Sequence, residues 1–151
     1  AHHALAALAA AEIALRSLRT RDARLALQRA RTAASLAGIP ALSAEIAQVD
    51  ASLRRPAARI LHAGHEQPVT LDDVEALLAS GSLVGDAMRH AVRDATGMAS
   101  LARRPVLFAL LRALATGWPG DVDRNALIAR VFRTRRPDET HRARLRGVIR
   151  R

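Results

Sequence analysis

The sequence contains no cysteine, no lysine and no tyrosine, and only two phenylalanines and one tryptophan in 151 residues. Without cysteine, disulfides, thiolate zinc sites and thiol chemistry are excluded together, so the fold must stand on packing. Hydrophobic residues make up 50% of the chain but aromatics only 2%. The apolar volume therefore comes from Ala, Leu, Val and Ile, a composition that suits closely packed helices and argues against disorder. Long apolar runs are missing too, because charged residues interrupt the leucine-rich stretches before the ~18 residues a membrane span requires. The N-terminus lacks the basic segment, apolar core and cleavage site of a secretory signal, and its Ala1-His2-His3 is given no role. No membrane partner is expected, and the expected location is cytoplasmic.

With lysine absent, all 24 basic residues are arginine; against 14 acids they give a formal net charge of +10. Residues 1–100 hold 11 Arg and 10 acids, whereas residues 101–151 hold 13 Arg and 4 acids. The excess is thus C-terminal, and within residues 133–151 eight arginines face only Asp138 and Glu139. A basic end of this kind points to an acidic partner such as nucleic acid.

The length accommodates one ordinary domain or two small ones. Residues 1–56 read as a helical packing or dimerisation module. Leu5, Leu8, Leu15 and Leu18 mark one side of a first helix, Asp22 is placed to cap a second that ends at Gly38, and Pro40 opens a third. Leu42, Ile46, Val49 and Leu53 step by 4, 3 and 4 along that third helix, a narrow stripe expected to meet another helix; either this stripe or the first helix is expected to pair two copies of the chain. Small Ala residues between larger ones bear a resemblance to tetratricopeptide-type hairpins, without that repeat's aromatic and Gly positions. Residues 57–80 read as a connecting segment, with short strands at Ala58–Leu61 and Val69–Leu71 and a short helix capped by Asp72.

Residues 81–151 carry the clearest pattern. Three short strand candidates, 83–86, 90–93 and 98–101, are separated by turn residues. Pro105 then opens a helix with Leu107, Leu110, Leu111 and Leu114 at i, i+3, i+4 and i+7, stopped by Gly117-Trp118-Pro119-Gly120. Asp123 is placed to cap a second helix with Leu127, Ile128, Val131 and Phe132 inward, and a third starts near Asp138 and buries Leu145, Val148 and Ile149. The fold class expected is mainly α (α+β): an N-terminal helical bundle or hairpins, then three helices preceded by a small antiparallel sheet.

In Leu101, Arg103-Arg104-Pro105 and Phe108-Ala109-Leu110-Leu111, followed by Gly120, Arg124, Leu127, Val131 and Phe132, this part of the chain resembles the OmpR/PhoB-type winged helix-turn-helix transcription regulators. The resemblance covers residues 81–151 and implies a DNA-binding transcription regulator whose last helix is the recognition helix. Leu145 and Ile149 fit the first two apolar positions of that helix, the third would follow residue 151, and no wing hairpin is expected within these residues.

An α-helix fits the major groove of B-DNA and presents its outward side chains to base edges and phosphates. Taking Leu145 as the inward direction, ~100° per residue places His141, Val148 and Ile149 inside and Thr140, Ala143, Arg144, Arg150 and Arg151 outside, with Arg146 at the flank. Arg142 points nearer the core, toward a phosphate or an internal acid. An outward Arg can bind guanine O6 and N7 or a phosphate as a fork, and Arg133, Arg135 and Arg136 in the preceding loop suit phosphate. The expected DNA-binding set is therefore Thr140, Arg142, Arg144, Arg146, Arg150, Arg151, Arg133, Arg135 and Arg136, with double-stranded DNA and a second copy of the chain as partners. Catalysis has no matching motif: His62 and His65, the latter followed by Glu66, sit on a turn with no further ligand placed nearby, and neither a metal nor a cofactor is expected. The competing expectation is a non-enzymatic adaptor built on a degenerate winged helix.

Overall fold

The protein, described as a computed structural model over residues 1–150, is mainly helical. Among these residues there are seven helices and two small antiparallel sheets. They form two compact units, one built from Ala1–Arg59 with Pro68–Leu77 and the other from Ile60–Gln67 with the segment beginning at Leu78. Residues 57–80, read from sequence as a connector, are thus shared between both units.

The first unit is a three-helix assembly of α1 (His2–Arg16), α2 (Thr20–Ala37) and α3 (Pro40–Arg54). Its core joins Ala4, Leu8 and Ala11 of α1, Ala26, Leu27, Ala30 and Ala34 of α2, and Leu42, Ile46 and Leu53 of α3. Alanines at the crossing points let the axes approach closely, which substitutes for the missing aromatic volume. One expectation changes here. Leu5 is exposed and Leu18 sits in the turn after α1 at φ 54°, so the inner face of α1 is made by Ala4 and Ala11 with Leu8, and Leu15 packs half-buried against it. Leu42, Ile46 and Leu53 of the third-helix stripe are taken up inside this core, while Val49 packs half-buried beside it. Gly38 ends α2 in the left-handed conformation (φ 63°), and Pro40 occupies the first turn of α3.

Asp22 does not cap α2. It lies in the first turn, paired with Arg19 at 3.5 Å, and the cap comes from far along the chain: Glu75 Oε2 accepts from Thr20 N (2.9 Å) and Thr20 Oγ1 (2.5 Å). Glu75 belongs to α4 (Leu71–Ala79), whose own start is a capping box in which Asp73 Oδ2 accepts from Thr70 N at 2.8 Å. Asp72, expected as that cap, instead holds the Arg24 guanidinium through two bonds, Nη1–Oδ1 at 2.7 Å and Nη2–Oδ2. Before α4, β1 (Ala58–His62) and β2 (His65–Val69) form a hairpin. Ala63 and Gly64 turn at φ 50° and 79°, the two positive values a tight hairpin loop requires. The second strand therefore precedes the expected 69–71, and Leu71 already belongs to the helix.

The second unit contains the sheet β3 (Val84–Asp86), β4 (Ala91–Asp94) and β5 (Gly97–Ser100) in that spatial order, then α5 (Pro105–Gly117), α6 (Arg124–Phe132) and α7 (Glu139–Ile149). Asp94 closes the β4–β5 turn by accepting from Thr96 N at 2.8 Å and Gly97 N at 3.2 Å. The sheet meets α5 where His90 stands edge-on to Phe108, ring centroids 4.9 Å apart. Leu110 and Ala113 of α5, Leu127, Ile128 and Val131 of α6, and Leu145 of α7 make one core. α6 begins as expected at Asp123, whose side chain accepts from Ala126 N at 2.8 Å, and α7 at Asp138, which accepts from His141 N at 2.9 Å.

Candidate nucleic-acid interface

Leu145 is the buried anchor of α7, 6% exposed against α5 and α6. It fixes the rotation of the helix and hence what the other faces present. Val148 and His141 are half-buried. Ile149, expected inside, is 64% exposed; Leu145 is the residue of α7 that enters the core, with Val148 half-buried one turn on.

The nine expected contact residues divide into groups. Arg142 and Arg146 both bind Glu139, through Nη1–Oε2 at 3.4 Å and Nη2–Oε1 at 2.9 Å. Arg142 also reaches back to α6, donating from Nη2 to Asn125 Oδ1 at 3.4 Å. The acid that Arg142 meets is thus the exposed Glu139 of its own helix. The Arg146 hydrogen bond, with that of Arg142, holds the Glu139 carboxyl below its ordinary range, and the Asp138 carboxyl is lowered by its backbone and ring bonds to His141. Both acids at the start of α7 stay charged and favour the positive end of the helix dipole.

A second group has no such partner. Among the described residues, Arg133, Arg135, Arg136, Arg144 and Arg150 take part in no ion pair. All five are exposed. Arg144 nevertheless has a seat, its guanidinium carbon lying 4.9 Å from the centroid of the Phe132 ring, which orders the side chain without neutralising it. Arg133 ends α6 in the left-handed conformation (φ 54°) and turns the chain into the basic loop, where Thr134 Oγ1 accepts from Arg136 N at 3.3 Å. Thr140 is exposed in the first turn of α7. Arg151 lies outside the described residues.

Three residues of this arrangement were not singled out from sequence as contact residues. Glu139 could have been read for Arg142, since residues three apart on a helix are neighbours; Arg146 lies two turns along the same face and reaches back with its long side chain. Asn125 and Phe132 act across the loop and carry no local signal for these contacts. The His62 and His65 rings sit on either side of the hairpin turn, with His65 Nδ1 2.9 Å from Ala63 O. No helix of the described residues is long and apolar enough to cross a membrane. The chain matches no protein-family model, no curated protein and no solved structure.

Proposed function

We propose that residues 81–150 form a winged-helix-like DNA-binding module of a transcription regulator, with α7 lying in the major groove of double-stranded DNA. In this reading Arg144, Arg150 and Thr140 reach base edges or flanking phosphates, and Arg133, Arg135 and Arg136 hold the backbone from the loop. Two copies associate through the N-terminal helices, so that two recognition helices address two half-sites. No chemistry on the DNA is involved, and the protein is a binding module rather than an enzyme.

The observation that carries the reading is the charge arrangement around α7. Five exposed arginines of this helix and its preceding loop lack a carboxylate partner among the described residues, while Leu145 docks the opposite side. A merely solvated helix gains little by leaving so many like charges together, because each adds to self-repulsion. Fluorescence anisotropy with a labelled duplex and the full chain tests it. Binding that weakens in both Arg144→Ala and Arg150→Ala supports the reading, and wild-type affinity in both rejects it.

One observation favours the adaptor alternative: Met88 and Trp118 are 92% and 64% exposed in the second unit, and exposed large apolar side chains suit a protein partner. Under that reading the chain has no affinity for duplex DNA even at low salt.

A further inference from the structure

The first unit leaves an open groove of about 500 Å³ between α1 and α3, walled by Glu12 and Arg16 of α1 and by Glu45 with Arg55 at the end of α3. Leu15 and Val49 form part of its floor, both only half-buried. Among the described residues none of the four charged side chains is in an ion pair. Elsewhere in this unit charges do find partners, as Arg31 and Arg54 do on Asp50.

The order of the charges matters more than their number. Short turns join α1 to α2 and α2 to α3, so α1 and α3 run in the same direction. On both helices the acid comes before the apolar residue and the arginine after it: Glu12, Leu15, Arg16, and Glu45, Val49, Arg55. The groove therefore has an acidic end and a basic end around an apolar middle. A surface with that polarity is complementary to itself when turned through a two-fold axis, because the acidic end of each copy then meets the basic end of the other.

We infer that the α1/α3 groove is a self-association surface occupied by a second copy of this chain in antiparallel orientation, with Glu12 and Glu45 facing the second copy's Arg16 and Arg55 across a floor closed by Leu15 and Val49. The four helices then form an antiparallel bundle in which each pair fills the other's groove. This deepens the two-copy part of the function proposed above and rests on it. Its test uses no DNA, so its outcome is separate from that of the DNA-binding reading.

The test is sedimentation equilibrium of the full chain with two charge-reversed variants. E12R/E45R makes the groove entirely basic and R16E/R55E makes it entirely acidic; all four positions are at the surface, and circular dichroism checks that the helices persist. The expected result is a dimer for the wild type, at least tenfold weaker dimerisation for each variant alone, and a restored one-to-one complex when the two variants are mixed. As a control, L25S/L36S on the outer face of α2 leaves the wild-type dimer constant unchanged. A wild-type dimer that survives both reversals, or that is lost only in L25S/L36S, overturns this surface while leaving two-copy assembly intact. A wild type that stays monomeric at high concentration overturns both.

Discussion

Arg144 of α7 lies over the ring of Phe132 at the end of α6, guanidinium carbon to ring centroid 4.9 Å. This contact joins the two helices of the proposed helix-turn-helix pair by the residue expected to read DNA. His141 approaches the same ring at 6.0 Å, so Phe132 is a platform for the start of α7 as well as a core residue. The guanidinium is thereby ordered before any DNA arrives, which lowers the entropy lost on binding.

Arg144→Ala should therefore have two measurable effects. The exposed cation–π contact is worth ~0.5–1 kcal/mol of stability, and loss of a base contact weakens specific binding by ~1–3 kcal/mol. Phe132→Leu separates them, keeping the charge but removing the platform. Thermal melts and competition binding on the same variants should show both losses in Arg144→Ala and a smaller binding loss in Phe132→Leu.

Gly147 stands in the last turn of α7, and a Cβ there would meet nothing within 4 Å. Gly147→Ala should raise stability through helix propensity alone, by up to about 1 kcal/mol, the value for a helix interior. A fall in melting temperature would mean that α7 does not hold its helical geometry at this point.

Leu145→Ala opens a cavity beneath α7 and should cost ~2–5 kcal/mol. DNA binding should disappear only under conditions where the melts show unfolding. If binding fell in a fully folded Leu145→Ala, the residue would have to do more than anchor the helix.

In the first unit the tie between α2 and α4 should be sensitive to acid. Hydrogen bonds from Thr20 lower the Glu75 carboxyl, and the Arg24 hydrogen bond lowers that of Asp72. Because the folded values lie below the unfolded ones, the stability they add is complete above the ordinary carboxylate range. It is lost as pH falls through the folded values. Glu75→Gln should flatten that acid limb, as measured by amide exchange of the first turn of α2 between neutral and acidic pH. An unchanged pH profile would show that the Glu75 cap is not made in solution.

What the sequence disclosed follows the range over which each signal acts. Local devices were legible: Gly38, Pro40, Pro105, Asp123 and Asp138 each act on a backbone within a few residues, and each stands where expected. The three strands of the small sheet were legible from turn residues between them. Contacts made at a distance were not. Glu75 caps a helix 55 residues earlier, a contact with no local signal, and the local pattern points to Asp22 instead. Alanine faces mislead in the same way, because a leucine such as Leu5 signals an inward face more strongly than Ala4 or Ala11 although the alanines are the buried ones. In the candidate interface the outward placement of Arg144 and Arg150 was legible from helical periodicity. Glu139 shares its single charge between Arg142 and Arg146, which divides the basic set and leaves five guanidiniums without a carboxylate partner among the described residues.

That number sets the most direct test of the account, the salt dependence of duplex binding by the full chain. Five phosphates neutralised by Arg133, Arg135, Arg136, Arg144 and Arg150 imply a log–log slope of the binding constant against salt of about −4.5. A slope in that range, reduced by about one in Arg150→Ala, is the predicted result. Absence of binding at low salt, or an affinity indifferent to salt, would contradict the claim that α7 and its loop hold DNA.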